Sequence, residues 1–287
     1  MMPSARDILQ AGRARLQARG LESARQDAEW LLSRLLGVAA LDLYVEERDV
    51  PEPLARRFFL QVDQRAAGMP VQYLAEEAEF LGERLRVAPG VFIPRPETEA
   101  VLEAVLPALR RLTAPAGRPL RLLDLGTGSG CIAIALARRL PACLIVGVEL
   151  SWDSLRIAQA NAARAGLAGR VQWVRGRWVD GLRGPFDGII ANPPYVPSAQ
   201  VDRLPLDVRR EPRMSLDGGA DGMRDARIIL SALPAMLAPG GVAAMECGET
   251  QVEVLLADVR HAGWAASAEP LQDLAGRPRG LVISRPT

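Results

Sequence analysis

The chain contains no lysine; apart from the single histidine, His261, every basic side chain is arginine. A P-loop needs its lysine on the phosphates, so Walker-type nucleotide hydrolysis is excluded. The lone histidine sits on a late helical stretch with unremarkable surroundings, which reads as a surface position. No Ser–His–Asp or Cys–His constellation is visible around it. There are three cysteines, Cys131, Cys143 and Cys247, unevenly spaced in apolar runs. That pattern offers no zinc spacing and predicts buried, reduced thiols, in keeping with a cytoplasmic setting. Charge of one sign is also lacking: the formal net charge is +1. A protein that grips long nucleic acid by its phosphates carries a clear basic excess, so no direct nucleic-acid partner is expected. No apolar run is long enough to cross a bilayer, and the opening MMPSARDILQ lacks a charged-then-apolar leader pattern.

What is present is ordinary for a soluble globular protein: 287 residues, 49 % hydrophobic and 24 % charged. The length suits one large α/β domain with or without a small companion. The first ~75 residues read as helices. Ala5 to Arg19 is amphipathic and stops at Gly20. Ser23 with Gln26 has capping-box spacing, followed by the stripe Ala28, Leu31, Leu32, Leu35 and a stop at Gly37. A third helix is expected from Pro51–Pro53 to Gly68. This stretch, residues 1–75, holds no catalytic constellation, so pattern alone leaves a structural cap and a partner-recognition domain equally open.

Residues 76–287 read as the second domain, with a connecting hairpin in 79–93 that turns at Gly82-Glu83. Then comes VFIPRPETE, residues 91–99, where two prolines fix an extended backbone and Glu97 and Glu99 suit a first helical turn. From Leu120 strand and helix alternate. Strands are expected at 120–125, 143–149, 171–175, 187–191, 241–247, 264–269 and 280–285. Helices are expected at 129–140, 152–166, 223–237 and 250–262. Such alternation predicts a parallel sheet covered on both faces. The last two strands are joined by a segment without helical pattern, PLQDLAGRPRG, which predicts an antiparallel strand. The long stretch Pro193 to Asp221, rich in proline and glycine, has the character of a functional lid.

Three motifs carry chemistry. Asp124-Leu125-Gly126-Thr127-Gly128-Ser129-Gly130 follows an apolar strand and opens a helix. Its Gly-x-Gly-x-Gly spacing, preceded by an acid, suits close backbone approach by a ribose and a methionine-type zwitterion better than by a pyrophosphate. Glu149 ends the next strand, where a carboxylate can accept from ribose hydroxyls. Asn192-Pro193-Pro194-Tyr195 follows the strand FDGIIA, again at a carboxyl end. A planar amide or amino nitrogen is a poor nucleophile and must be held in line with its methyl donor. The Asn192 side-chain oxygen and the Pro193 carbonyl can accept its N–H groups, and Tyr195 can stack on its plane. Trp178, after the strand VQWVR, is positioned to lie against an adenine.

These residues resemble the PrmC/HemK family, N5-glutamine methyltransferases of peptide chain release factors. The resemblance spans nearly the whole chain: the helical start, the hairpin, Ile93-Pro94-Arg95-Pro96-Glu97-Thr98-Glu99, the glycine turn, Glu149, Asn192 to Tyr195, and Arg210-Glu211-Pro212. The Asn-Pro-Pro-Tyr motif is shared with DNA adenine methyltransferases and ribosomal-protein glutamine methyltransferases, which stand as alternatives; IPRPETE is the more specific mark. The resemblance implies a class I S-adenosylmethionine-dependent methyltransferase, with a Rossmann-like seven-stranded sheet whose last strand is antiparallel. It implies cofactor contacts at Gly126, Thr127, Gly128, Ser129, Gly130, Glu149, Trp178 and Asn192. It places the substrate glutamine at Asn192, Pro193, Pro194 and Tyr195. The implied partner is a class-1 release factor, which the amino-terminal helices would help to dock; separately, a monomer is expected. Two positions depart from the family pattern. Arg177 stands where an acidic residue often precedes the aromatic, and Leu74-Ala75-Glu76-Glu77 replaces a glycine-bearing stretch.

Overall fold

The computed structural model describes residues 4–45, 48–115, 117–273 and 275–287. Met1 to Pro3, at the start of the expected helical domain, and Glu46 and Glu47 within it lie outside the described residues. So does Leu274, in the segment joining the last two strands. The chain forms two units: Met1–Glu77 with Pro205–Arg210, and Ala78–Leu204 with Glu211–Thr287.

The first unit is helical. Helix α1 (Ala5–Gln17) is capped by Ser4, whose side chain accepts from the Asp7 amide, and buries Ile8, Leu9 and Leu16. Helix α2 (Ala24–Leu36) buries Ala28, Leu31 and Leu32 and ends, as its sequence predicts, on a left-handed Gly37. The capping box expected at Ser23 does not form. Ser23 has ψ near 7° rather than an extended conformation, and its hydroxyl donates instead to Asp27, at 2.8 Å. A short α3 (Asp42–Val45) follows, then α4 (Glu52–Ala66), which starts at the expected prolines, and α5 (Val71–Ala75). The two short helices were not legible in the sequence, being only four and five residues long. Phe58 of α4 packs so close to α1 that a Cβ on Gly12 would stand 2.5 Å from its ring. The loop segment 205–210 belongs to this unit, where Leu206 lies against Gly68 and Asp207 pairs with Arg65 at 3.2 Å.

The second unit opens with a ribbon, β1 (Glu77–Phe80, its first residue in the helical unit) and β2 (Glu83–Arg86). Its turn is Leu81-Gly82, one residue earlier than expected, because both take positive φ, 48° and 82°, as a two-residue hairpin turn demands. Helix α6 (Pro96–Arg110) starts within IPRPETE. Then follow β3 (Leu120–Leu125), α7 (Cys131–Arg139), β4 (Cys143–Glu149), α8 (Trp152–Arg164), β5 (Val171–Arg175) and β6 (Phe186–Ala191). After a short α9 (Ser198–Val201) come α10 (Arg224–Met236), β7 (Leu237–Glu246), α11 (Val252–Ala262), β8 (Ser267–Gln272) and β9 (Pro278–Ser284). The sheet order is β5-β4-β3-β6-β7-β9-β8, and β9 runs antiparallel to both neighbours. The last strand thus inserts between β7 and an edge strand. β8 lies about three residues later than its apolar signal, because Trp264 and Ala265 pack against the core from the preceding turn. One sheet face is covered by α6 and α7 through Val101, Leu106, Ile134 and Leu136, the other by α10 and α11 through Ile229, Leu233, Leu255 and Leu256. Strand order reverses beside β3, so the carboxyl ends of β3, β4 and β6 frame the crevice where open α/β sheets take their ligands.

Candidate active site

The glycine turn begins where β3 ends. Gly126, Gly128 and Gly130 have φ of 76°, 56° and 85°, which a side chain would strain. The turn is locked to β4, since the amides of Gly126 and Thr127 both donate to the Val148 carbonyl at 2.9 Å. Asp124 is fully buried beneath it. Its Oδ2 accepts from the Ala133 amide at 3.0 Å and from the Thr127 hydroxyl, while its Oδ1 has no partner among the described residues. Burial pushes the Asp124 carboxyl up to about 7. The buried Ser129 is tied through its carbonyl to the Asn161 side chain, at 2.9 Å.

Glu149 closes the turn from β4. Its Oε2 accepts from the Gly128 amide at 2.9 Å and its Oε1 from Ser151 at 2.8 Å. Both oxygens are fixed by backbone donors, and each keeps acceptor capacity for a diol. Trp178, itself at φ 50°, lies with its ring edge 3.2 Å from where a Cβ on Gly126 would stand. Its indole nitrogen donates to Asp225 at 3.1 Å, and Arg177 pairs with the same carboxylate at 3.4 Å.

Asn192 follows β6 directly. Its backbone carbonyl lies 3.9 Å from the Gly126 Cβ position, which brings the Asn-Pro-Pro-Tyr segment to the glycine turn. The Asn192 side-chain nitrogen donates to Thr98 at 2.9 Å. Thr98 in turn donates to Glu246 at 2.6 Å, and the Tyr195 phenol lies close to the same carboxyl. Glu246 is 1 % exposed, and burial raises its carboxyl to about 7 against the opposing effect of these hydroxyls. Burial and the adjacent Glu246 charge push the Tyr195 phenol up. The backbone of the motif is held as well. Gln251 donates to the Tyr195 carbonyl at 2.8 Å and to Asp221 at 3.2 Å. Gly218 and Gly222 pack on the Pro194 and Tyr195 carbonyls where a Cβ would come within 2.5 and 2.3 Å.

The expected lid, 193–221, is pinned at its base by a bridge between Val196 and Asp217 and by the Ser198 amide on the Gly219 carbonyl, 2.8 Å. Farther along, Glu211 accepts from the Ile93 amide at 3.0 Å and pairs with Arg95. Two parts of the family-like sequence thus meet through one buried acid.

Gly126 to Gly130, Glu149, Trp178 and Asn192 to Tyr195, the residues expected from the sequence, come together at one edge of the sheet. Thr98, marked in the sequence only as part of IPRPETE, and Asp225, Glu246 and Gln251, not marked at all, join them. For Glu246 the signal was available: an acid ending an apolar strand, as at Glu149. Asp225 and Gln251 reach the site from helix starts far along the chain, and no local pattern marks them.

A seven-stranded sheet with an antiparallel penultimate position, a glycine turn after its first strand and an acid after its second is the class I methyltransferase fold. A methyltransferase from Pyrococcus furiosus shares it at TM-score 0.52 and 19 % identity over 72 % of this chain and 91 % of that one. So does a human methyltransferase 10 domain containing protein, at 0.51 and 16 % over 80 % and 97 %. The PrmC N-terminal domain family matches residues 7–75, and the methyltransferase small domain family matches 98–205. Full-length relatives are nearer. The release factor glutamine methyltransferase of Moorella thermoacetica is 40 % identical over 94 % of this chain and 95 % of its own. That of Deinococcus radiodurans is 38 % identical over 98 % of each, and that of Geobacter sulfurreducens 43 % over 88 % and 86 %. The chain belongs to the release factor glutamine methyltransferase family.

Proposed function

We propose that this protein transfers a methyl group from S-adenosyl-L-methionine to the side-chain amide nitrogen of the glutamine in the Gly-Gly-Gln motif of class-1 peptide chain release factors. The observation that carries this reading is Asn192 at the carboxyl end of β6, its Nδ2 engaged by Thr98 and its Oδ1 without a donor among the described residues. An acceptor so presented, beside a glycine turn, suits an amide N–H. Family membership supplies the choice of glutamine.

The residues fit the cofactor. Asp124 Oδ1, buried and without a partner among the described residues, is an acceptor open to a cationic or N–H donor at the turn. Gly126, Thr127, Gly128, Ser129 and Gly130 would admit its close approach, Glu149 would hold the ribose, and Trp178 would flank the adenine with Arg177 beside it. S-adenosylmethionine supplies an electrophilic methyl group. The chain supplies orientation. Asn192 Oδ1 and the Pro193 carbonyl accept the two amide hydrogens, Pro194 stiffens the segment, and Tyr195 bounds the amide plane. The glutamine nitrogen would gain the methyl group as the donor's sulfur–methyl bond breaks, leaving S-adenosyl-L-homocysteine as the neutral thioether, and one amide proton would pass to solvent, with alignment and electrostatics lowering the barrier.

Residues 1–75 serve as the recognition domain and 76–287, with the hairpin in 79–93, as the catalytic one. The enzyme acts as a cytoplasmic monomer without nucleic acid or membrane; no helix among the described residues is long and apolar enough to span a bilayer. Remote contacts made by the helices would help to position the glutamine, so the folded factor should be a far better substrate than a free Gly-Gly-Gln peptide. The decisive experiment incubates enzyme and labelled cofactor with a release factor, a Gly-Gly-Gln peptide and a ribosomal protein, then maps the label by mass spectrometry. Label on the release-factor glutamine is expected. Label confined to the ribosomal protein would overturn the reading, and equal turnover on peptide and folded factor would refute the docking role.

A further inference from the structure

We infer that Thr98 and Glu246 are positioning residues that fix which end of the Asn192 side-chain amide faces the substrate nitrogen. The inference rests on the proposed methylation of a glutamine amide. It starts from the near-identity in shape of the two ends of an asparagine amide. Nothing steric distinguishes Oδ1 from Nδ2; only hydrogen-bond partners do. If Nδ2 faced the substrate, a donor would meet a donor, and the amide could not be held in line.

The chain of partners leaves one arrangement. A threonine hydroxyl has one proton and two lone pairs. Thr98, 3 % exposed at the start of α6, gives its proton to Glu246 Oε2 at 2.6 Å. Having spent its proton, Thr98 can only accept from Asn192, and it accepts from Nδ2 at 2.9 Å. Asn192 Oδ1 is thereby turned to the other side. The Tyr195 phenol lies beside the same carboxyl, so one buried acid borders both polar side chains of the Asn-Pro-Pro-Tyr segment and sets the hydrogen-bond direction of Asn192 through Thr98. The direction holds while Glu246 only accepts. A protonated Glu246 can donate to Thr98, freeing the Thr98 proton for Asn192 Oδ1 and allowing the amide to turn over.

The charges around Glu246 come from several elements. Thr98 and Glu97 belong to α6, Tyr195 follows β6, and Arg279 lies on β9; Glu97 raises the Glu246 carboxyl and Arg279 lowers it. Burial raises the thiols of Cys247 and Cys131; the Glu246 charge adds to it at Cys247, and at Cys131 the Asp124 charge adds more than that of Glu246. With the carboxyl near 7, the accepting form gives way as pH falls through that value. The reaction should therefore weaken on the acid side of neutrality. Asp124 titrates in the same range at the glycine turn, so the informative quantity is the difference between wild type and a Glu246 variant.

The test compares wild type with Thr98→Val, Thr98→Ser and Glu246→Gln on the folded release factor, with cofactor affinity by calorimetry and folding by thermal shift. Thr98→Val keeps the shape of the side chain and removes the relay; kcat should fall about 10- to 100-fold, with cofactor affinity near wild type and the enzyme folded at a lowered melting temperature, since Glu246 and Asn192 each lose a partner. Thr98→Ser restores the hydroxyl and should keep kcat within about threefold. Glu246→Gln cannot change charge, so the acid-side fall in kcat should flatten relative to wild type. Wild-type kcat in Thr98→Val, failure of serine to rescue, or an unchanged pH profile in Glu246→Gln overturns the relay while leaving the proposed reaction standing. A wild-type enzyme that methylates no glutamine overturns the reaction and the relay with it.

Discussion

In the helical unit the deeply buried charges are matched. Arg65 reaches Asp27 at 2.6 Å and Asp207 at 3.2 Å, and these three side chains hold loop segment 205–210 within that unit. In the sheet unit two of the most deeply buried acids, Asp124 and Glu246, have no basic side chain at ion-pair distance among the described residues, and both are raised to about 7. Burial alone does not set these two cases apart; the partner does. A matched pair in the interior fixes geometry and is costly to break from one side. An unmatched buried acid is held toward its neutral form by burial, and acids of this kind cluster at sites of chemistry.

The largest effect should come from unmatching the helical unit. Arg65→Met keeps most of the apolar stem but leaves Asp27, 6 % exposed at its side chain, without its cation. Removing one partner of a buried pair costs about 3–5 kcal/mol. Chemical denaturation should show that loss, and turnover on the folded factor should fall because segment 205–210 is released. Unchanged stability would mean that the matched charges are not structural. Next is Asn192→Ala, which acts in the opposite way. It removes the proposed acceptor for the substrate nitrogen, and kcat should drop by about 10²-fold or more with the melting temperature little changed. Near-normal turnover would end the amide-holding role.

Glu149→Ala should have a smaller effect, on cofactor affinity. Its two oxygens are held by the Gly128 and Ser151 amides, so truncation removes a proposed ribose acceptor and leaves two backbone donors unpaired. Loss of about 1–3 kcal/mol in cofactor binding is expected, read by calorimetry. An unaltered dissociation constant would move the ribose away from β4.

How far the sequence carried these assignments depends on the residue. The alternation from Leu120 onward marked β3 to β7 and β9 because each contains a short apolar run bounded by turn residues, whereas β8, SAEPLQ, has no such run and only its first three residues fall within the expected 264–269. The bounds of β3, β4 and β5 coincide with expectation, whereas β7 starts four residues early through Leu237 to Gly240, a stretch whose Pro-Gly-Gly reads as a turn. Glycine turn, Glu149 and Asn192 were visible since each stands at the end of its own strand. The Thr98–Glu246 contact spans 148 residues and exists only after the sheet places α6 over β7, so no local spacing could announce it. The same holds for the partition of the long loop. Its length marked it as functional, but nothing in Pro205 to Arg210 shows that this segment folds with the helical unit.

The smallest effect separates two uses of Trp178. Its ring borders the glycine turn, and its indole nitrogen donates to Asp225. Asp225 does not depend on that bond, because Arg224 also pairs with it at 2.7 Å and Arg177 at 3.4 Å. Trp178→Phe therefore leaves a compensated carboxylate, and the lost hydrogen bond should cost about 1 kcal/mol of stability. Phenylalanine still presents an aromatic face. If the ring flanks the adenine, cofactor affinity should stay within about fivefold in Trp178→Phe and fall further in Trp178→Ala. If the side chain serves only to tether Asp225, the two variants should bind cofactor equally and share the same small loss of stability. A left-handed Trp178, φ 50°, holds the ring over the turn in either case, so the Phe-to-Ala difference in binding reports the adenine contact itself.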